Sequence, residues 1–152
     1  MAEYSIGEMS RRTGVKVTTI RYYESRGLIP FPARTSGGQR RYDEAALERL
    51  AFLRHARELG FGLDDVAELM ALAEHPEEDC APAHEIARKQ LAAVDRRMAI
   101  LARLREELAR LADADDDGNT AKCRVIQVLG DHRLCAGPHN IEDSAAALPG
   151  IR

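Results

Sequence analysis

The fold of the N-terminal third is decided by residues 17–27, VTTIRYYESRG. This stretch predicts a short helix that presents hydroxyl, guanidinium and aromatic groups and is stopped by its final glycine. A shorter helix precedes it, with a capping box formed by Ser5 and Glu8 and an end at Gly14. Two short helices joined by a tight turn that contains glycine predict a helix-turn-helix.

Residues 28–42 have a different character. They hold two prolines, a Gly37-Gly38 pair, and then the basic run QRRY. Two short segments separated by a glycine pair predict a small β-hairpin. A hairpin in this position makes the predicted module a winged helix-turn-helix.

Three longer helices are predicted after the wing. Asp43 is expected to cap a helix that ends near Leu59, residues 63–73 form a second, and the longest runs from about Ala83 to Asp113. The longest helix carries an apolar seam formed by Leu91, Val94, Met98, Leu101, Leu104, Leu108 and Leu111. One narrow seam on a helix of roughly 30 residues, about 45 Å long, predicts a coiled coil between two copies of the chain.

Three parts are therefore predicted in a mainly α chain. Residues 1–75 form the winged helix-turn-helix DNA-binding domain with its supporting helices, and residues 76–114 form the dimerisation helix. Residues 115–152 hold an effector-binding loop, a short helix and a mobile tail.

Charge is distributed unevenly along the chain. Residues 1–60 hold 11 basic and 7 acidic side chains, a net +4, whereas residues 61–152 hold 11 and 18, a net −7. A basic N-terminal module favours DNA binding there. No apolar run approaches the roughly 20 residues of a membrane span, and the N-terminus lacks signal-peptide features, so a cytoplasmic protein without membrane contact is predicted. In that compartment, three cysteines predict thiols or metal ligands rather than structural disulfides.

Candidate DNA-binding residues lie on the second helix, the wing and the third helix. They are Thr18, Thr19, Arg21, Tyr22, Tyr23, Arg34, Arg40, Arg41, Arg54 and Arg57. Hydroxyl, guanidinium and aromatic groups bind phosphates and base edges of double-stranded DNA. The alternative for any single residue is a solvated arginine or a core tyrosine, but the clustering of the whole set in one motif favours DNA binding.

Three motifs in the chain closely resemble the MerR family of regulators. They are IRYYESRGLI at residues 20–29, GQRRY at residues 38–42, and the segment from Leu53-Arg54 to Leu59-Gly60-Phe61. With the long helix, the resemblance covers about residues 4–130. It implies a winged-helix homodimer that binds a promoter with an overlong spacer and distorts the DNA when an effector binds, so that RNA polymerase engages both promoter elements. Gln39 departs from the pattern, since many relatives carry tyrosine there.

The resemblance favours a soft divalent metal ion as effector. Cys80 lies just before the long helix. It resembles the branch that responds to zinc, cadmium, lead or mercury, in which a cysteine occupies this point. In the copper(I), gold and silver branch, the corresponding position is similar to a serine. Cys123 resembles the second loop cysteine of the divalent branch, whereas residues 115–117, DDD, stand where its first loop cysteine is expected. Zn(II) is the favoured ion, and Cd(II), Pb(II) and Hg(II) are further candidates.

Further candidate ligands follow Cys123, because cysteine and histidine suit Zn(II) and its soft neighbours. The predicted set is Cys80, Cys123, His132 and Cys135, with Asp116 and His139 as secondary candidates. Cys80 and Cys123 lie at opposite ends of a helix about 45 Å long, which predicts a site shared between two antiparallel chains. The alternatives are that Cys80 is an inert apolar residue and that the two histidines are simply solvated.

Two other functions compete with a metal-responsive activator. One is a thiol redox sensor on the same scaffold, in which Cys123 and Cys135 form a reversible disulfide. The other is a zinc-binding carrier or enzyme. The chain has no HExxH motif, nucleophile elbow or Walker-type loop, so we predict that it is not an enzyme.

Overall fold

The computed structural model describes residues 3–34, 36–38, 40–114 and 118–135. Asp116 and His139, the two secondary ligand candidates, lie outside the described residues. The chain divides into two compact units, one ending at Ile86 and the other beginning at Ala87. The predicted division into three parts stays a prediction.

The first unit begins with the predicted pair of short helices, α1 (Ile6–Thr13) and α2 (Val17–Ser25). The capping box is confirmed, since the Glu8 N–H donates to Ser5 Oγ at 3.3 Å and the Ser5 N–H donates to a Glu8 carboxylate oxygen at 2.7 Å. Gly14 ends α1 with a φ of 72°. This left-handed conformation lets the chain turn sharply into α2.

The wing is a two-stranded antiparallel hairpin. Strand β1 (Ala33–Arg34) pairs antiparallel with β2 (Arg40–Arg41), and Arg34 lies opposite Arg40. An isolated bridge follows, in which the Tyr4 N–H donates to the Tyr42 carbonyl at 2.7 Å and the Tyr42 N–H donates back at 2.9 Å. The residues before α1 are thereby bound to the end of the wing.

Two longer helices complete the core of this unit. Helix α3 (Glu44–Glu58) is capped by Asp43, whose carboxylate accepts the Ala46 N–H at 2.8 Å, and α4 (Leu63–Ala73) has the predicted bounds. The largest fully buried side chains are those of Met9, Ile20, Glu24, Ile29, Tyr42, Leu50, Leu53 and Val66. They come from both short helices, the wing and both longer helices, so one core fixes the helix-turn-helix.

Helix α5 (Ala81–Ala112) starts two residues earlier than predicted. Pro82 lies in its first turn, where a missing N–H costs nothing, and Asp79 accepts the Ala81 N–H at 3.0 Å. Several large apolar side chains of α5 are exposed: Leu91, Met98, Leu101 and Leu108. All four belong to the predicted seam.

The segment after α5 contains α6 (Arg124–Gly130) and a 3-10 turn at His132–Leu134. Cys123 is the N-cap residue of α6, and Val128 is buried. The predicted fold class is confirmed as a mainly helical chain in which a long helix follows a winged helix-turn-helix. Among the described residues, none of the helices combines the length and apolar character that a membrane span requires.

The turn between α1 and α2 generates the first prediction. A Cβ atom at Gly14 would lie 2.5 Å from Arg54 Nη1, in a backbone conformation that side chains rarely adopt. Gly14→Ala should therefore lower the free energy of unfolding by about 1–3 kcal/mol, measured by urea titration.

Gly7→Ala is the matched control within α1. A Cβ at Gly7 meets its neighbours only at 3.7 Å or beyond, so alanine should stabilise the helix by about 0.5–1 kcal/mol. Equal effects at the two positions would contradict the role given to the Gly14 turn.

Candidate DNA interface and metal ligands

Helix α2 has one buried and one exposed side. Ile20, Tyr23 and Glu24 are buried against the core. Thr18, Arg21 and Tyr22 are exposed, Thr19 is half-buried, and Tyr22 retains 47% of its exposure. The exposed side of a helix in this position of a helix-turn-helix is the side that meets the major groove.

Tyr23 corrects the sequence interpretation. It keeps 7% of its exposure and belongs to the core cluster, with its ring centroid 6.1 Å from that of Tyr22. Successive helical residues point about 100° apart, and on α2 this step carries the chain from exposed Tyr22 to buried Tyr23. We therefore assign Tyr23 to the core and keep Tyr22 on the exposed side.

The wing is joined to α2 by a buried carboxylate. Arg40 Nε lies 3.3 Å from a Glu24 carboxylate oxygen, and the Tyr42 hydroxyl donates a hydrogen bond to the same carboxylate. Glu24 and Tyr42 each keep only 2% of their exposure. Burial, together with the bond to Glu24, raises the pKa of the Tyr42 hydroxyl above its usual range. The hydroxyl therefore remains a hydrogen-bond donor at neutral pH.

The hairpin backbone holds two further arginines. Arg34 is the last residue of β1, opposite Arg40, and Arg41 is half-buried on β2. Arg40 keeps 32% of its side-chain exposure despite the pair with Glu24. The wing thus presents a partly exposed guanidinium that the core already orients.

The two candidate arginines of α3 bind carbonyl groups of neighbouring turns. Arg54 donates to the Thr13 carbonyl in the helix-turn-helix turn and pairs with Glu58 at 2.8 Å. Arg57 donates to the Phe61 carbonyl at 2.6 Å. Both side chains therefore support the fold, and their use on DNA stays a prediction.

Sequence reasoning missed three cations near the recognition helix. Arg11 and Arg12 occupy the last turn of α1, and Lys16 is the N-cap residue of α2; all three are exposed. The Arg12 guanidinium also lies over the Tyr4 ring, 4.6 Å from its centroid. The basic residues at the end of α1 and at the start of α2 could have indicated them, because their charge adds to the positive potential beside α2.

The candidate metal ligands lie in separate segments. Cys80 is exposed immediately before α5, and its carbonyl accepts the His84 N–H at 3.2 Å. Cys123 and Cys135 are half-buried, before α6 and after the 3-10 turn, and His132 is exposed. All three cysteines are free thiols. Within the described part of one chain, no three Cys, His, Asp or Glu side chains come together as a metal site.

A hydrogen bond from Arg110 ties the segment before Cys135 to α5. Glu107 is buried on α5, and Arg110 donates to its carboxylate and also to the Leu134 carbonyl at 3.2 Å. The bond to Glu107 raises the pKa of Arg110, and the nearby Cys135 acts in the same direction. Arg110 thus binds the backbone next to Cys135.

Two family profiles match overlapping segments of the chain. One, described as MerR HTH family regulatory protein, matches residues 4–73, and the other, described as MerR, DNA binding, matches residues 47–111. The HTH-type transcriptional regulator ZntR of Escherichia coli K12 is 41% identical over 129 residues, which cover 83% of this chain and 92% of the relative. The chain belongs to the MerR family.

Two further relatives are described with heavy metals, one by its name and one by the ion in its solved structure. The mercuric resistance operon regulatory protein of Bacillus cereus is 31% identical over 128 residues, covering 84% of this chain and 97% of the relative. The solved structure of the regulator PbrR691 from Ralstonia metallidurans CH34, in complex with lead(II), matches with a TM-score of 0.71 at 35% identity. That match covers 83% of this chain and 98% of the other.

The family assignment confirms the resemblance found in the sequence. This MerR-family chain is a DNA-binding transcription regulator and not an enzyme, since its relatives regulate transcription. The carrier and enzyme alternatives therefore find no support.

Arg21 provides the prediction for DNA binding. Arg21→Ala should weaken binding by about 1–3 kcal/mol on a duplex selected by the wild-type chain from a random library, because it removes an exposed donor of α2. Fluorescence anisotropy at fixed salt measures the change. Arg21 is a cleaner test than Arg40, whose removal would also leave Glu24 without its ion pair.

Arg96→Ala is the control, because Arg96 is an exposed arginine of α5 outside the predicted seam. Its affinity should equal that of the wild type. Equal affinities of the Arg21 and Arg96 variants would remove Arg21 from the interface.

Proposed function

We propose that this MerR-family protein is a metal-responsive activator that binds promoter DNA as a homodimer. The observation that carries the proposal is the presence of free cysteines just before α5 and just before α6, Cys80 and Cys123. The chain is related to a mercuric resistance regulator and to a regulator solved in complex with lead(II). Such a protein works in the compartment that holds the DNA. The sequence predicts a cytoplasmic protein.

The homodimer is supported by the apolar side chains of α5. Leu91, Met98, Leu101 and Leu108 are exposed along a helix of 32 residues, which is about 48 Å long. Large exposed apolar groups at this repeat favour a second helix as their partner. Two recognition helices in one dimer would then read two half-sites.

The metal site is proposed between the two chains. The whole of α5 separates Cys80 from Cys123 along the chain, so we pair Cys123 with Cys80 of the partner subunit in an antiparallel dimer. Cys135 and His132 complete the set, with Asp116 and His139 as secondary candidates. Thiolate and imidazole ligands favour Zn(II), with Cd(II), Pb(II) and Hg(II) as competitors.

Activation requires metal binding to change the DNA. Bending or untwisting promoter DNA costs on the order of several kcal/mol. The ion must therefore bind one of two dimer states more tightly than the other. An ion shared by two chains is suited to this, because its geometry is linked to the angle between them. The distorted promoter would then present both of its elements to RNA polymerase.

The thiol redox function remains the competing proposal. Cys123 and Cys135 are free, half-buried and in the same unit, so both are available to form a disulfide. The two proposals differ in metal content. Purification under reducing conditions should yield bound metal for the metal sensor and none for the redox sensor.

The dimer generates one prediction. Leu101→Asp should dissociate the dimer, because it would bury a charge in the seam, and light scattering at micromolar concentration measures the mass. Ala99→Asp introduces the same charge at an exposed position two residues away, off the seam, and should leave the dimer intact. A monomeric wild-type chain would contradict the dimer itself.

The shared site generates another prediction. Cys80→Ser and Cys123→Ser should each abolish metal-dependent transcription from the promoter that the protein regulates, because each removes a thiolate ligand. DNA binding without metal should persist. Cys135→Ser and His132→Ala should have graded effects on metal affinity. His75→Ala is the control, since His75 is exposed and bound to Glu77 at 3.4 Å in the linker before α5.

Mixed dimers test the sharing directly. A dimer with Cys80→Ser in one subunit and Cys123→Ser in the other retains one complete site, so it should bind about one ion, whereas a site within one chain would leave none. Normal activation of Cys80→Ser by every divalent ion would exclude the shared site and favour the redox function.

A further inference from the structure

We infer that Glu24 is a positioning residue for DNA recognition, whose buried carboxylate fixes the wing to the recognition helix. The inference rests on the proposed DNA face of α2 and the wing. Glu24 itself is too buried to contact a base or a phosphate, since it keeps 2% of its exposure.

A buried carboxylate is costly unless it is paired and hydrogen-bonded, and breaking one such pair is strongly destabilising. Glu24 meets both requirements with groups from outside its own helix. One oxygen accepts the Tyr42 hydroxyl, and the other lies 3.3 Å from Arg40 Nε. The carboxylate thus joins α2 to β2 and to the residue that follows β2.

The wing needs such a link because it is a two-stranded hairpin. Within the described residues its ladder pairs Ala33 with Arg41 and Arg34 with Arg40. An isolated two-stranded hairpin is marginally stable at best, so its own hydrogen bonds cannot set its direction relative to α2. Arg40 belongs to this ladder and to the Glu24 pair at once, which transmits the position of α2 to the hairpin.

Tyr42 extends the link to the rest of the unit. Its backbone is bound to Tyr4 on one side, and Asp43, the next residue, caps α3. The hydroxyl of a fully buried tyrosine is therefore fixed before it meets Glu24. The carboxylate is held in one place, and it holds Arg40 in turn.

The pair with Glu24 also allows Arg40 to bind a DNA phosphate. The pair with Glu24 uses Nε, and the side chain is 32% exposed, so the Nη groups, which have no carboxylate partner among the described residues, can donate to a phosphate. A guanidinium oriented before binding loses less entropy when it meets the phosphate. Glu24 therefore sets both the direction of the wing and the readiness of its arginine.

The test compares Glu24→Gln with the wild type by hydroxyl-radical footprinting of the full chain on a duplex selected from a random library. Glutamine keeps an acceptor for Tyr42 and loses the ion pair with Arg40. Protection of the flanking backbone, where the wing binds, should fall by more than half, while protection at the recognition helices remains. The slope of log affinity against log salt should decrease by about 0.9 for each phosphate that the variant no longer neutralises.

Glu44→Gln is the matched control. Tyr4 donates to Glu44 at 2.5 Å, so this pair is a second tyrosine–glutamate hydrogen bond of the same unit without a wing arginine. Whatever its effect on stability, the footprint of this control should match that of the wild type.

Arg40→Lys should reproduce the loss of flanking protection, because lysine keeps the charge without the Nε donor. In the double variant with Glu24→Gln, the two effects should not add. Tyr42→Phe is a milder variant that removes only the hydroxyl and serves if Glu24→Gln fails to fold.

The outcomes separate this inference from the proposed interface. Flanking protection that is present in the wild type and unchanged in Glu24→Gln would overturn the role of Glu24. Protection that falls uniformly, in proportion to lost stability, would make Glu24 a purely structural residue. Absence of flanking protection in the wild type would instead overturn the DNA contact of the wing.

Discussion

The recognition helix depends on the side chains that it buries. Helix α2 has nine residues and no side-chain cap at its N-terminus, and isolated helices shorter than about 12 residues are marginal in water. Ile20, which is fully buried, and Tyr23 anchor it in a core built from all the elements around it. The outward direction of Arg21 and Tyr22 follows from that anchor, because the phase of a helix is set once one side is buried.

Buried carboxylates pair with arginines in both units. Glu24 binds an arginine of the wing, and Glu107 binds Arg110, which also holds the Leu134 carbonyl. An ion pair of this kind adds little net stability compared with apolar packing, but it is strict about geometry. The chain therefore uses apolar contacts to form its core and ion pairs to fix the peripheral segments that carry candidate ligands and DNA contacts.

The predictability of each feature follows from the range of the interaction that determines it. The capping box at Ser5, the turn at Gly14 and the bounds of α4 depend on neighbours within four residues, and the sequence predicts them correctly. The roles of Tyr23, Arg40 and Arg54 depend on partners far away along the chain, such as Thr13 for Arg54 at a separation of 41 residues, which no local pattern contains. The candidate metal ligands are harder still, because the proposed site takes ligands from a second chain.

The short helix α6 has a consequence for how such a protein would be tuned. Of its seven residues, Val128 is the buried one in the described structure, whereas Val125, Ile126 and Leu129 are exposed. A segment with so few buried apolar groups unfolds locally at low free-energy cost. The apparent affinity of any ligand that requires the folded α6 is then multiplied by the fraction of molecules in which α6 is folded. Substitutions at these apolar positions would then shift the concentration at which an effector is sensed without touching a single ligand atom. The response threshold and the chemical selectivity of the regulator would be free to evolve separately.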